Sequence, residues 1–258
     1  MSKLTRILSP ILPFALPLGI IALWQAGASS GMISERVLPA PAEVIATAVR
    51  LTLSGELIVN ACVSSARAFA GLIVGGSIGF ALGLANGLSH RWESVTDTSL
   101  QMVRNIPNLA LIPLVILWFG IGEEAKLFLV ALGVVFPIYV NTYQGVRTVD
   151  PQLVEMGRIY GMSRLTLFRR VILPGALPAI FVGLRSALGI MWLTLIVAET
   201  IAASSGLGHM AMEARDFMLL DVVVLAIIIY ALLGKLADVA TRYLERRMLA
   251  WHPAYQTT

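Results

Sequence analysis

Long apolar stretches, each about as long as a membrane-crossing helix, alternate with shorter polar segments along the chain. A helix needs about 20 mostly apolar residues to cross the hydrocarbon core of a bilayer. Prolines in the first and third stretches are compatible with crossing, because neighbouring helices can satisfy the backbone groups that a proline frees. The pattern predicts an all-α integral membrane protein, a single domain over 1–258, with spans at approximately 11–28, 68–88, 100–119, 127–146, 180–203 and 222–240.

The segment 29–66, between the first two predicted spans, is too polar to cross a bilayer. Within it, Val44, Ala48 and Leu51 recur at helical spacing, with charged residues elsewhere on the helical wheel. We therefore expect a short amphipathic helix that lies at the outer membrane surface.

The second predicted span has a glycine at every fourth position. Residues four apart lie on one face of a helix, so these glycines form a smooth stripe that lets another backbone approach closely. We interpret the stripe as a helix-packing surface, and a surface on which helices slide or pivot is the alternative. The stripe consists of Gly71, Gly75, Gly79, Gly83 and Gly87.

The distribution of lysine and arginine predicts the orientation, because cytoplasmic segments are enriched in both. The distribution favours an orientation in which both termini and the loop 147–179 are cytoplasmic and the segment 29–66 is periplasmic. The inner segments then contain Lys3, Arg6, Arg91, Arg147, Arg158, Arg164, Arg169, Arg170, Arg242, Arg246 and Arg247, and the outer ones contain Arg36, Arg50, Arg67, Lys126 and Arg215. The apolar run that ends at Ala26–Ala28 also resembles a signal peptide, an alternative that leaves the later topology unchanged.

Composition supports a membrane protein and narrows the classes of function. The chain is 57% hydrophobic and 13% charged, whereas about a quarter of the residues in a soluble domain are charged. The net charge of +4 is spread between apolar blocks, so we predict no nucleic-acid partner. The single cysteine, Cys62, the scattered histidines and the lack of a G-x-x-x-x-G-K-[ST] sequence predict no disulfide, metal site, cofactor, catalytic residue or ATPase site in this chain.

The loop 147–179 has the local signals of a folded element. Asp150 is suited to cap a first short helix, and Gly161 is suited to end it in a left-handed conformation. Ser163 is suited to cap a second short helix, which we expect the sequence LPGALP to separate from the fifth span. A loop that only set the topology would not need such a shape, so we predict a docking element for a cytoplasmic partner. Its apolar face consists of Leu153, Met156 and Tyr160.

The same loop resembles the EAA signature of permease subunits of binding-protein-dependent ABC importers. It departs from that signature at Met156 and Gly157, where the signature has alanines. Nearly the whole chain is similar to the bacterial aliphatic sulfonate permeases of this family, and related permeases serve taurine, nitrate or thiamine precursors. The matching positions are Glu155, Gly161, Val171 (for isoleucine), Leu173 and Pro174.

This resemblance implies the type I importer permease fold, in the bacterial inner membrane, and transport rather than enzymatic activity. Two permease subunits, expected to be identical, line a pathway, and a periplasmic or lipid-anchored solute-binding protein delivers cargo. A dimer of separate ATPase subunits uses ATP and Mg²⁺ and docks on the loop 147–179. The expected cargo is an aliphatic sulfonate or a similar small organic anion, with taurine, nitrate or a thiamine precursor as the alternative. The residues implied in coupling are Leu153, Glu155, Met156, Tyr160, Gly161, Val171, Leu173 and Pro174.

Other classes of membrane protein fit the chain less well. A secondary transporter would be expected to have internal repeats and acidic residues near the midplane, and the chain has neither in clear form. A channel or scaffold without energy coupling would not need a folded docking loop.

Polar and aromatic residues within the spans are candidates for the pathway or a gate. An acid such as Glu199 would repel a sulfonate, so we favour a structural role for it, with a gate or a contact with the binding protein as the alternative. Arg104 and Arg185 are interpreted as reaching the inner interface, with direct contact to an anion as the alternative. The candidates are Arg104, Asn105, Trp118, Trp192, Thr194 and Glu199.

Overall fold

A computed structural model describes residues 12–34 and 37–252, and the secondary structure of this part of the chain is entirely helical. Lys3, Arg6 and Arg36, which contribute to the predicted orientation, lie outside the described residues, as do both termini. The α-helices are α1 Leu12–Ser29, α2 Pro41–Leu53, α3 Glu56–Leu88, α4 His90–Arg104, α5 Ile112–Phe119, α6 Glu123–Arg147, α7 Pro151–Ile159, α8 Arg164–Leu167, α9 Leu173–Ala202, α10 Leu207–Asp216 and α11 Leu220–Met248. A 3₁₀ turn, Asn108–Leu111, precedes α5, and a π-helical turn, Phe168–Ile172, joins α8 to α9.

Among the described residues, four helical stretches are long and apolar enough to cross a bilayer: α3, α6, the stretch Arg164–Ile201 and α11. A fifth crossing is formed if α4 and Asn108–Phe119 are counted together, although the pair is bent by 79°. In addition, α1 is a shorter apolar helix. The predicted all-α membrane architecture is thus confirmed, and the count of six spans is approximate.

The third predicted span, 100–119, is not one helix. Its first part belongs to α4, which ends at Arg104, and the chain turns sharply before the 3₁₀ turn. Pro107 lacks a backbone N–H and disfavours the helical conformation for the residue before it, Ile106. The proline that we considered compatible with a continuous span therefore breaks it.

The second span begins twelve residues earlier than predicted, at Glu56 instead of 68. Arg67 and Lys126, which we assigned to outer loops, lie inside α3 and α6 and are buried. Carboxylates within the protein neutralise both, so neither marks a segment in water. The two residues therefore do not count in the comparison of inner and outer charge.

The expected break at LPGALP is also wrong. The helix continues from Arg164 through the π turn into α9. The backbone N–H of Leu173 donates to the carbonyl of Phe168, five residues back, so the register shifts just before Pro174. Pro174 follows directly after this shift as the second residue of α9, and as a proline it donates no backbone hydrogen bond. The second short helix of the loop is therefore the beginning of a spanning helix.

Helix α6 lies at the centre of the fold, between α3 and α9. A Cβ atom at Gly75 would overlap with the backbone of Ala131, and one at Gly83 would lie 2.7 Å from Thr142 Cβ. On the other side of α6, a Cβ atom at Gly145 would lie 2.9 Å from the carbonyl oxygen of Ala176 in α9. Small residues thus let both neighbours approach α6 closely. Close van der Waals contact then stabilises the helix packing, because lipid gives the helices no hydrophobic driving force to associate.

The amphipathic helix predicted in the segment 29–66 is α2. Its residues Val44 and Leu51 are buried in the main hydrophobic core, and Ala48 packs against that core. Thr47 donates a hydrogen bond of 2.5 Å to Asp221 at the start of α11. The amphipathic helix is thus present, and its apolar face packs on protein.

Candidate functional site

The first helix of the loop 147–179 is capped as predicted. The Asp150 carboxylate accepts a hydrogen bond of 2.8 Å from the backbone N–H of Gln152. Gly161 follows the helix with a φ of 72°, the left-handed conformation that glycine adopts at little cost. The Ser163 hydroxyl accepts from the backbone N–H of Thr166 at 3.2 Å and caps α8. These local contacts give the loop a defined shape.

Four apolar side chains of α7 and its C-terminal end are exposed, and we call them the docking face. Their relative exposures lie between 47% and 80%. Ile159 is the most exposed of the four. The predicted apolar face did not include it, because that face was limited to Leu153, Met156 and Tyr160. The docking face consists of Leu153, Met156, Ile159 and Tyr160.

Glu155 lies beside the docking face and lines an open cavity of about 800 Å³ at the end of α6. Arg147 and Arg158 line the same cavity. Arg147 is held by Glu93 of α4 at 2.7 Å, so the basic wall of the cavity is attached to the helical body. Glu155 is thus available to a partner that enters this cavity.

The remaining residues implied in coupling lie behind the docking face. Val171, Leu173 and Pro174 are half-buried in the π turn and the start of α9. Gly157 is buried, and a Cβ atom there would lie 2.6 Å from Leu167 Cδ1 of α8. An alanine, which the signature has at Gly157, would require Leu167 to move. The glycine therefore lets α7 pack directly on the helix that leads into the membrane.

Glu199 lies in α9 with a fully buried carboxylate. The buried carboxylate is bound from three other helices, which the sequence did not reveal because the partners are far apart along the chain. Its donors are the Ser64 hydroxyl (2.8 Å), Arg67 Nη1 (2.8 Å), the Tyr230 hydroxyl (2.6 Å) and the backbone N–H of Gly208 (3.0 Å). Glu199 is therefore paired within the chain, and the structural role that we favoured over a gate stays a prediction.

Arg67 connects Glu199 to the start of α6. Its side chain is 6% exposed, and it also donates to Glu123 at 2.6 Å and to the carbonyl of Ser205 at 2.6 Å. Lys126 donates to Glu123 at 2.8 Å, and the Glu123 side chain is 55% exposed. The two cations balance the two carboxylates. We call Ser64, Arg67, Glu123, Lys126, Glu199 and Tyr230 the ion cluster.

Arg104 and Asn105 lie at the bend that follows α4, and both are exposed. Arg104 lines an open cleft of about 430 Å³ between this bend, α6 and α9, which we call the bend cleft. Asn108, Asn141 and Ser186 also line it. The N-I-P-N sequence could have indicated Asn108, whereas nothing in the sequence associated Asn141 or Ser186 with Arg104.

The structure does not bring the other pathway candidates to this cleft. Trp118 is exposed on α5, while Trp192 and Thr194 are buried in α9. Arg185 pairs with Asp238 of α11 at 3.2 Å. Within the described ranges, no group of three or more histidine, cysteine or acidic residues could hold a metal ion.

A family described as "Binding-protein-dependent transport system inner membrane component" matches residues 75–250. The chain belongs to this family. A relative from Escherichia coli (strain K12), SsuC, named for transport of aliphatic sulfonates, is 60% identical over 245 residues, which is 95% of this chain and 93% of the relative. The taurine transport system permease protein TauC of the same organism is 34% identical and covers 92% of this chain and 88% of TauC.

A solved amino acid ABC transporter has the same fold. It superposes with a TM-score of 0.61 at 18% identity, and the match covers 77% of this chain and 97% of the transporter chain. This protein is thus a multi-pass permease subunit of an ABC importer with the type I fold. The ATPase of such an importer is a separate chain, and a solute-binding protein is its other partner.

Proposed function

We propose that this permease carries aliphatic sulfonates across the bacterial inner membrane. The observation that carries the proposal is the 60% identity with SsuC over nearly the full length of both chains. Taurine is the second candidate, supported by the similarity to TauC. Taurine is itself a sulfonate, so the two candidates share the anionic group and differ in the amine of the cargo.

We also propose that the docking face receives the movement of the ATPase subunits, with Glu155 and Gly161 as part of the contact. The apolar side chains are exposed on a capped helix, as a helix laid into a partner's groove would be. Gly157 joins α7 to α8, and α8 continues into α9, so displacement of the loop is transmitted to a spanning helix. ATP binding then shifts the spans between inward-open and outward-open arrangements through differential affinity for the two states.

In the same proposal, both termini and the loop 147–179 are cytoplasmic, and a second, identical permease completes the pathway. The exposed arginines of the loop support this orientation because cytoplasmic segments are enriched in basic residues. Replacing Cys62 by serine provides a background for single cysteines at Arg164 and Leu53, both of which are exposed. An impermeant thiol reagent added to whole cells should label Leu53→Cys and leave Arg164→Cys unmodified. The reverse labelling would contradict the orientation.

The transport proposal is tested in vesicles that contain the permease, the ATPase subunit and the solute-binding protein. We expect uptake of a short alkanesulfonate only when ATP is inside and the binding protein is outside. Taurine, nitrate and a thiamine precursor serve as competing cargoes. Uptake that continued without the ATPase subunit would contradict the assignment of energy coupling, and preference for another cargo would contradict the sulfonate proposal.

A further inference from the structure

The bend cleft lies near the middle of the central spanning helix. The part of α6 that lines it runs from Gly133 to Asn141. At a rise of about 1.5 Å per residue, this part lies about 15–27 Å from the first residue of a helix about 36 Å long. Ser186 and Ile190 line the cleft from the middle of α9. The cleft is therefore deep in the membrane-spanning part of the protein.

Arg104 brings a positive charge to this depth without a carboxylate partner among the described residues. Its guanidinium donates one long hydrogen bond, of 3.3 Å, to the side chain of Gln101. By contrast, Arg67, Arg147 and Arg185 each form an ion pair with a glutamate or an aspartate. A charge at membrane depth is costly and is usually paired or functional. The charge of Arg104 is thus available to an anion that enters from outside the chain.

The remainder of the cleft suits an anion with an apolar tail. No acidic residue lines it, and Asn108, Asn141 and Ser186 supply neutral hydrogen-bonding groups. The Asn141 amide is held by a hydrogen bond of 2.8 Å to the carbonyl of Pro137. Apolar side chains, those of Phe136, Val140 and Ile190 among them, form the other walls. A sulfonate has one negative charge and three acceptor oxygens, and an alkyl chain matches the apolar walls.

The backbone supports the same assignment. The chain is not α-helical between Arg104 and Ile112, where the bend forms the edge of the cleft. Broken helices at membrane depth are tolerated where they are covered by protein or line a cavity. In transporters, such breaks commonly accompany the binding site.

Other cavities are less suitable for an anion, and Glu155 lines the one at the end of α6. The cavity between α2 and α11 is lined by Glu43 and Asp221. In the cavity beside Trp192, the only cation is Arg185, which Asp238 neutralises. The bend cleft thus combines a cation free of carboxylate partners with walls that lack acidic residues.

We propose that the bend cleft is a binding site for the sulfonate cargo during its passage. Arg104 contacts the sulfonate group, Asn108, Asn141 and Ser186 contribute neutral polar contacts, and the apolar walls accommodate the alkyl chain. This inference rests on the proposed function, because it takes the transported anion as the ligand.

The test compares Arg104→Gln with Arg91→Gln in the reconstituted importer. Arg91 is an exposed arginine of the same helix that does not line the cleft, so its variant controls for the loss of one positive charge. Uptake of a radiolabelled short alkanesulfonate is measured over a range of concentrations. ATP hydrolysis stimulated by the loaded binding protein is measured in the same vesicles.

Arg104→Gln should lower sulfonate uptake by about tenfold to a hundredfold, the range expected for a lost charge-assisted contact. Stimulated ATP hydrolysis should stay within about twofold of wild type, because the docking face is unchanged. Arg91→Gln should transport like wild type, and Arg104→Lys should recover part of the uptake. Ser186→Asp, an exposed position on the facing wall, should also lower uptake, because its carboxylate would compete for Arg104.

Three results would overturn the inference. Wild-type uptake by Arg104→Gln would show that the cleft does not bind the cargo, while the transport function itself would stand. Equal loss of uptake and of stimulated ATP hydrolysis in Arg104→Gln and Arg104→Lys would place Arg104 in coupling or folding. If the wild type hydrolysed ATP in response to a loaded binding protein but moved no sulfonate, the proposed cargo would fail, and the sulfonate site with it.

Discussion

The two ends of α6 differ in which groups are buried and which are exposed. At its first turn, the ion cluster buries Arg67, Lys126 and Glu199 and pairs each of them. At its last turn, about 36 Å away along the helix, the loop 147–179 exposes apolar side chains and several arginines. The charged groups at the first turn are paired within the chain, whereas the apolar side chains and arginines at the last turn are exposed to a partner.

This difference supports the proposal that the ion cluster is rigid and that the loop 147–179 binds a partner. A buried ion network has one favourable arrangement, since any helix shift leaves a charge unpaired in a medium of low dielectric constant. An exposed apolar surface has the opposite property, because covering it lowers the free energy. We therefore expect substitutions at the ion cluster to act on stability, and substitutions in the loop to act on transport.

The largest effect on stability is expected for Arg67→Ala. It leaves the buried Glu199 without its cation and should lower the free energy of unfolding by about 3–5 kcal/mol. The control is Arg50→Ala, whose side chain is 64% exposed and 3.7 Å from Asp221. Removal of such a surface pair costs about 0–1 kcal/mol. Denaturant unfolding in detergent micelles measures both variants, and equal losses would contradict the structural role of the ion cluster.

A smaller loss of stability is expected for Gly75→Ala in the middle of α3. The added methyl group would overlap with the Ala131 backbone, and forcing these helices apart should cost about 1–3 kcal/mol. Gly76→Ala is the matched control, because its nearest neighbour is the flexible end of Ile138 at 3.2 Å. At Gly76, the gain in helix propensity from alanine, about 1 kcal/mol, should offset the small cost of moving the end of Ile138. If both variants lost the same stability, close packing of the glycine stripe on α6 would not explain the loss in Gly75→Ala.

Gly161 lies just after the end of α7. Gly161→Val should lower the free energy of unfolding by about 1–2 kcal/mol, because a side chain in the left-handed conformation is strained. We expect it to abolish transport while the protein still inserts, since the turn that shapes the docking loop is lost. Gly161→Asn should retain transport, because asparagine tolerates this conformation better than other residues with side chains. Vesicle uptake and membrane fractionation measure the two outcomes. Normal transport by the valine variant would remove Gly161 from the coupling assignment.

The smallest change in stability is expected for Leu153→Ala, within about 0.5 kcal/mol, as for other exposed positions. Its transport should nevertheless fall, because the apolar contact that we propose with the ATPase subunit would be removed. Leu53→Ala, an equally simple change at an exposed leucine of α2, should leave transport unchanged. Co-purification of the ATPase subunit with each variant provides the direct measurement. A loss for Leu53→Ala as large as that for Leu153→Ala would mean that the docking face has no special role.

Much of the architecture was predictable because it depends on local or periodic properties of the chain. The lengths of the apolar stretches predicted membrane helices, and the caps at Asp150 and Ser163 were predictable because a cap involves neighbouring residues. The glycine spacing in α3 indicated a smooth face but not its partner. The signature around Glu155 and Gly161 indicated the family, which the comparison with known proteins then showed.

Some errors occurred where a contact between distant segments decided the outcome, and others where a proline met a particular local backbone register. Arg67 appeared to lie in a loop because its charge is unfavourable in a membrane, and only the fold shows Glu123 and Glu199 beside it. Pro107 and Pro174 have the same local chemistry, yet the first ends a helix and the second is accommodated after a π turn. Whether a helix can continue past a proline depends on its neighbours and on the hydrogen-bond register of the backbone. Neither can be read from the sequence.

By itself, the sequence determined that the chain is helical, that it enters a membrane and that the loop 147–179 has a folded shape. Those properties follow from hydrophobic length, helical period and capping, which act over a few turns of one helix. Only the tertiary structure decided that Glu199 is neutralised, that small residues let α3 and α9 pack closely on α6, and that Arg104, Asn141 and Ser186 line one cleft. These results depend on which side chains meet across helices, because electrostatic and packing energies act over distances in space and not along the chain.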